Sequence, residues 1–166
     1  TVADVEVDVG ASIGIAFERV GNLDVTAATA DATWSLDELA ALPEVDGTPS
    51  VLGFCLGGTL ALAVGLHGEP AAVVSYYGSG VADLLTDADD LRCPAMFVFG
   101  TADPFIPNEV ADAVAVAYAD RDDVSIHRLA AGHAFDNSFA DSFHDRAAAL
   151  TAWGLTAGFL ARHHRT

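Results

Sequence analysis

Four short runs of mostly apolar residues punctuate this chain: Ser50–Phe54, Ala72–Tyr77, Ala95–Phe99 and Val124–Leu129. The first three are almost continuously apolar, as expected of strands covered on both faces. Helix-forming stretches alternate with them, at Thr26–Leu42, Leu56–Leu66, Asn108–Ala119 and His144–Arg162. That alternation predicts an α/β fold, a mostly parallel sheet with helices on both faces. In the last helix Leu150, Trp153, Ala157 and Leu160 recur at helical spacing and share one face. The six prolines fall between elements or at their first positions, where they break nothing. With no repeat or linker, residues 1–166 read as a single domain whose first 22 residues form an arm. Within that arm Val5–Val9 alternates like an edge strand or extended segment, and Ile13–Val20 reads as one or two helical turns. The acidic run Asp87–Asp90 reads as a solvated loop.

Charge narrows the function classes. Seven arginines and no lysine face 24 acidic residues, a net charge of −17, although 52% of the chain is hydrophobic. A surface this negative repels phosphate backbones and anionic lipid, which disfavours nucleic acid and membrane surfaces as partners. No apolar run reaches the roughly 20 residues a bilayer span needs. Cys55 and Cys93 alone cannot build a disulfide framework, so a reducing, cytoplasmic setting is expected. His-x-x-x-His and Cys-x-x-Cys spacings, Walker loops and Gly-x-Gly-x-x-Gly are absent from the sequence, so no metal or nucleotide cofactor is expected.

The stretch that carries chemistry is Val51-Leu52-Gly53-Phe54-Cys55-Leu56-Gly57-Gly58. A strand runs into Gly-x-Cys-x-Gly-Gly and a helix follows at once, which is the setting of a nucleophile elbow. A helix N-terminus beneath Cys55 favours its thiolate, and the Leu56 N–H is placed to meet an oxyanion. Taken alone, the stretch fits a buried structural cysteine equally well. Asp103, after the third strand, and His133, after the fourth, break that tie. Loops at the carboxyl ends of parallel strands converge on one crevice, and the order nucleophile, acid, histidine is that of hydrolases built this way. His133 would act as base to Cys55, and Asp103 would orient His133.

The chain resembles the dienelactone hydrolase (carboxymethylenebutenolidase) family, of the α/β-hydrolase fold, from about Leu23 to His163. The resemblance rests on Gly53-Phe54-Cys55-Leu56-Gly57-Gly58, Ser75-Tyr76-Tyr77-Gly78, Cys93-Pro94 through Pro107, Gly132-His133-Ala134-Phe135, and Ala147–Phe159 with Trp153. It implies cofactor-free cleavage of a small ester or lactone through a Cys55–His133–Asp103 triad and an acyl-enzyme. It further implies that Tyr77 and Phe135 line the substrate pocket, with core packing the alternative for the tyrosine. Cys93, ahead of its strand, reads as buried and inert.

Two departures shape the expectations. The family's front strands, which supply a second oxyanion amide and a glutamate near the cysteine, have no counterpart here. Glu18 reads as part of a helical turn instead. The sequence is therefore expected to be an N-terminally truncated version of the family fold, with Ser50–Phe54 at a bare sheet edge that invites a homodimer. A catalytically weak or inactive scaffold serving as a binding or dimerisation module is the alternative reading. Second, the arginine that follows the histidine in relatives holding an anionic substrate is replaced by Asp136-Asn137-Ser138. This favours a neutral ester, lactone or thioester.

The acid-rich, lysine-free composition also resembles proteins of salt-in halophiles. At ~1 M salt the Debye length falls to about 3 Å and crowded carboxylates repel one another far less. Circular dichroism across a potassium chloride titration should show structure lost reversibly at low salt. A fully folded chain in salt-free buffer would overturn that expectation.

Overall fold

The computed structural model describes residues 14, 15 and 18–163. Its elements are α1 (Val25–Ala40), β1 (Val51–Phe54), α2 (Leu56–His67), β2 (Val73–Tyr76), a 3₁₀-helical segment (Val81–Asp90), β3 (Ala95–Gly100), α3 (Asn108–Ala117), β4 (Val124–Leu129) and α4 (Arg146–His163). The four strands form one parallel sheet in the order β1-β2-β3-β4, so every strand neighbours the next in sequence. Parallel pairing requires a crossover between each pair, and α2, the 3₁₀ segment and α3 supply them. The reading of Val5–Val9 lies outside the described residues, as do Ile13, Ala16 and Phe17 of the proposed turn. Glu18–Gly21 is helical.

The centre of the sheet holds the core. Val73, Val74, Tyr76, Met96, Phe97 and Val98 are all completely buried. Each buried aliphatic or phenyl side chain of that size contributes about 1.5–3 kcal/mol, so β2 and β3 dominate the packing energy. The outer strands β1 and β4 are mostly half-buried. Neighbouring residues of β2 show which helix covers which face. The Ser75 side chain points at Gly58 of α2, whereas the Tyr76 hydroxyl shares a 2.7 Å hydrogen bond with Thr156 of α4. Successive side chains of a strand point to opposite faces, so α2 and α4 lie on opposite sides of the sheet.

Two expectations need correction. The face of α4 that is buried is not Leu150–Trp153–Ala157–Leu160 but Ala148, Ala149, Ala152, Thr156 and Phe159. Small side chains let the helix lie close on the sheet, which leaves Leu150 64% and Trp153 46% exposed on its flank. Asp145 starts this helix by accepting from the N–H groups of Ala147 and Ala148 at 2.9 and 3.0 Å. The acidic run Asp87–Asp90 is not a loop but the end of the 3₁₀ segment, with a kink at Asp87. Leu84, Leu85 and Ala88 pack against the core while the acids stay in solvent.

β1 sits at the edge of the sheet, paired only with β2 among the described residues. Phe54, at its end, lies beside Trp153 with ring centroids 6.2 Å apart. Among the described residues no helix is long and apolar enough to cross a membrane.

The turn from β1 into α2 is packed backbone against backbone. A Cβ on Gly53 would lie 1.9 Å from the carbonyl oxygen of Gly57, and one on Gly58 would lie 2.7 Å from that of Tyr76. Nothing lies within 4 Å of a Cβ at Gly57. The three glycines of the motif are thus unequal. Gly53→Ala is expected to cost about 3 kcal/mol or more, because backbone cannot yield as a side chain would. Gly57→Ala should be neutral or mildly stabilising. Urea melts of the two variants check this, and equal midpoints would contradict it.

Candidate active site

Cys55 stands at the tip of this turn with φ 52° and ψ −120°, a strained conformation for a residue with a side chain. Its N–H donates to the Tyr76 carbonyl at 3.0 Å and its carbonyl accepts from Gly58 and Thr59 at 2.9 and 3.2 Å. Both neighbouring elements therefore hold the tip in place and aim the sulfur away from the sheet.

The acid and the histidine are brought together by the ends of β3 and β4. Thr101 N–H donates to Leu129 O at 2.8 Å and Ala102 N–H to Ala131 O at 3.0 Å, extending the pairing beyond the strands. Gly100 permits that approach, since a Cβ there would lie 2.4 Å from the Ala131 carbonyl oxygen. Asp103 is fixed from two directions. Its Oδ1 accepts from the N–H groups of Phe105 and Ile106 at 2.8 and 3.1 Å, and its Oδ2 is 2.7 Å from His133 Nδ1. That bond leaves the other ring nitrogen of His133 for Cys55, which lines the same cleft and raises the pKa of the imidazole.

The electrostatics of the pair follow from these contacts. The hydrogen bond with His133 is the largest influence on Cys55 and lowers its pKa. Burial opposes it, and the charge of His133, the Leu56 N–H and the Ser79 hydroxyl all reinforce it, so the thiol is more acidic than usual. For His133 burial alone favours the neutral ring, but bonds to Cys55 and Asp103 and the two negative charges outweigh it and raise its pKa. Both shifts favour a thiolate–imidazolium pair.

A cleft of about 290 Å³ opens onto the sulfur. Val20, Leu56, Phe105, Ala134, Ala140 and Phe143 form its walls, and its polar lining besides Cys55 and His133 comes from Ser79 and Asn137. Among the described residues no lysine or arginine belongs to this lining. A larger groove of about 600 Å³ lies against α1 around Trp34, remote from these residues.

The structure brings Cys55, Leu56, Asp103 and His133 together. It places the two expected substrate contacts elsewhere: Tyr77 is 2% exposed, Phe135 is fully buried, and neither lines the cleft. They form its foundation. The Tyr77 ring packs on that of His133 with centroids 4.9 Å apart and edge-on against Phe135 at 5.4 Å. The Tyr77 hydroxyl donates to the Asp136 carboxylate. Burial first, then the bond and charge of Asp136, push the Tyr77 phenol far above its ordinary pKa, so it stays a donor. Tyr77 has φ 35° and turns its ring under the histidine rather than into the cleft.

Ser79 and Val20 escaped the sequence reading. Ser79 stands two residues beyond Tyr77, just past the strand beside the elbow, and its position there was the available signal. Val20 lies in a short helical turn whose distance in sequence from Cys55 gave no hint of contact. Cys93 is buried at the amino end of β3, away from the cleft. Among the described residues no three His, Cys, Asp or Glu side chains cluster as a metal site.

Comparison with known proteins agrees with this architecture. The family model described as the dienelactone hydrolase family matches residues 7–164. The chain is 30% identical over 140 residues to carboxymethylenebutenolidase 1 of Cupriavidus pinatubonensis, covering 84% of this chain and 59% of that protein. It is 33% identical over 114 residues to the carboxymethylenebutenolidase of a Pseudomonas species, covering 69% and 48% respectively. The chain thus spans about half the length of these curated relatives. Among solved structures, a dienelactone hydrolase-like promiscuous phosphotriesterase from metagenomic libraries superposes with a TM-score of 0.75 at 26% identity, over 86% of this chain and 64% of that one. A dienelactone hydrolase structure from Klebsiella pneumoniae shares the fold, with a TM-score of 0.76 at 21% identity, over 86% and 63%. With its sequence matched almost from end to end by the family's own pattern, the chain belongs to the dienelactone hydrolase family.

Proposed function

We propose that this chain cleaves a carboxylic ester or lactone through Cys55, His133 and Asp103 by way of an acyl-enzyme. The observation that carries the reading is the position of His133: its Nδ1 lies 2.7 Å from Asp103 Oδ2, and it lines one cleft with Cys55, each shifting the pKa of the other toward the charged pair. The thiol proton passes to His133, and the sulfur attacks the substrate carbonyl carbon. The resulting oxyanion meets the Leu56 N–H, which already points at the sulfur. Collapse breaks the ester C–O bond, and His133 returns the proton to the departing alkoxide. A water then gives its proton to His133 and attacks the thioester, releasing the acid and restoring the thiol. Asp103 holds the ring in the tautomer both steps need.

The lining of the cleft argues for an uncharged substrate. Its walls are apolar, the residues after His133 are Asp136-Asn137-Ser138, and the net charge is −17. An anionic lactone would enter against the field without a cation to receive it.

The test is hydrolysis of a neutral short-chain aryl ester and of an anionic dienelactone in molar potassium chloride, with intact mass to look for an acyl adduct. The aryl ester should turn over at least about tenfold faster than the dienelactone, and Cys55→Ala should abolish turnover of both. Asp103→Asn should lower kcat on the order of 10³–10⁴-fold, as loss of the orienting carboxylate does in related triads. Turnover that survives Cys55→Ala would refute the triad.

The free edge of β1 favours a second reading, in which that edge pairs with a second copy of the chain. A dimer by light scattering, together with an inert Cys55, would support it as the chain's role in place of catalysis.

A further inference from the structure

Three groups make the Cys55 thiol more acidic: His133 most strongly, then the Leu56 N–H and the hydroxyl of Ser79, which lines the same cleft as the sulfur. The first two belong to the triad and the elbow, and the third has no part in the mechanism above. Ser79 is exposed, so nothing in its burial forces its hydroxyl toward the sulfur. A free serine there would spend its time bonded to water.

The loop that carries it removes that freedom. Tyr77 turns sharply at the end of β2, with φ 35° and its hydroxyl tied to Asp136. On the far side of Ser79, the Gly80 N–H donates to Thr59 Oγ1 at 2.9 Å. Thr59 belongs to the first turns of α2, and its own N–H donates to the Cys55 carbonyl at 3.2 Å. The loop is therefore pinned to the helix that begins at the nucleophile. Ser79 is held from both sides above the sulfur, and it lines the cleft alongside Cys55, Leu56 and His133.

We propose that Ser79 is a catalytic residue whose hydroxyl donates to the Cys55 thiolate, holding it ionised and aimed at the cleft before substrate arrives. This deepens the thiolate reading of the site but does not depend on which ester, if any, the chain cleaves. A hydroxyl donates well to a thiolate and only weakly to a thiol, so the contact favours loss of the thiol proton to His133. The titratable groups facing the sulfur are His133 from the loop after β4 and Tyr77 from the end of β2. Asp103 reaches it only through His133, and Asp136 only through Tyr77.

The experiment is the rate of iodoacetamide alkylation at Cys55 against pH, read by peptide mass so that Cys93 is counted separately. In Ser79→Ala the midpoint of the profile should rise by about half a unit to one unit, a three- to tenfold slower reaction near pH 6. Near pH 10, where the thiol is ionised regardless, the rates of parent and variant should agree within about twofold. Ser79→Thr should restore the parent profile, and Thr59→Val, which frees the loop, should shift it in the same direction as Ser79→Ala. A Ser79→Ala profile that superimposes on the parent overturns the proposal, as does a loss of rate equal at every pH, which would indicate altered access instead. Because alkylation needs no turnover, a shifted profile without ester hydrolysis supports Ser79 while removing the hydrolase reading. Cys55-dependent hydrolysis with an unmoved profile does the reverse.

Discussion

The site depends on backbone lying closer to backbone than side chains allow. Gly53 lies against the Gly57 carbonyl, Gly58 against that of Tyr76, and Gly100 against that of Ala131. The first two contacts make the turn sharp enough to lift Cys55 clear of the sheet. The third draws the ends of β3 and β4 together and so brings Asp103 to His133. Backbone strain collects at the same place: among the described residues the non-glycine positions with positive φ are Cys55, Tyr77 and Ala134, of which Cys55 and Ala134 line the cleft. Each costs on the order of 1–3 kcal/mol, which the buried centre of the sheet offsets.

Electrostatics then acts on this frame in two opposing ways. Across the molecule a net charge of −17 disfavours any additional negative charge. At the tip of the turn, however, short-range contacts decide the outcome. The His133 imidazole, the Leu56 N–H at the helix N-terminus and the Ser79 hydroxyl lower the pKa of Cys55 inside a strongly acidic protein. His133 is drawn toward its charged form by Cys55 and Asp103. Any anion approaching the cleft meets the general field, and among the described residues no lysine or arginine lines the cleft to receive it.

How much of this was legible in the sequence varies with the physical signal. The central strands β2 and β3, buried on both faces, are nearly unbroken apolar runs, and the four predicted strands and four predicted helices lie within a few residues of their predicted positions. The convergence of Cys55, Asp103 and His133 was legible because each sits past the carboxyl end of a strand, where chain order alone predicts that loops meet. Side-chain direction was harder to read. The apolar stripe of α4 pointed to Leu150 and Trp153, but close packing on a sheet selects alanine, and hydrophobicity counts undervalue it. Phe135 and Tyr77 read as pocket residues because their loops reach the site, yet both turn inward and support the histidine from below. Ser79 was invisible for the opposite reason. A lone polar residue between two glycines carries no periodicity, and only the bond from Gly80 to Thr59 shows why its hydroxyl is held in place.

The placement of β1 gives the site its asymmetry. In the described structure the nucleophile rises from an edge strand, so the groups acting on it all come from α2, from the loop after β2 and from the loop after β4. On the other flank Phe54 is half-buried and Trp153 is 46% exposed, an apolar surface beside an unpaired strand. Longer relatives, of which the matched stretch covers about half, have additional chain with which to build against such an edge. A centre assembled from one side must draw its stabilisation from the donors that side offers. The main-chain N–H of Leu56 is fixed by the helix itself, so it persists whatever covers β1. A side-chain donor held on the β2 loop is likewise independent of that edge. The reactivity of Cys55 and the fate of the edge strand are thus separable properties: the first is set by contacts already closed within this chain, the second by whatever completes the sheet.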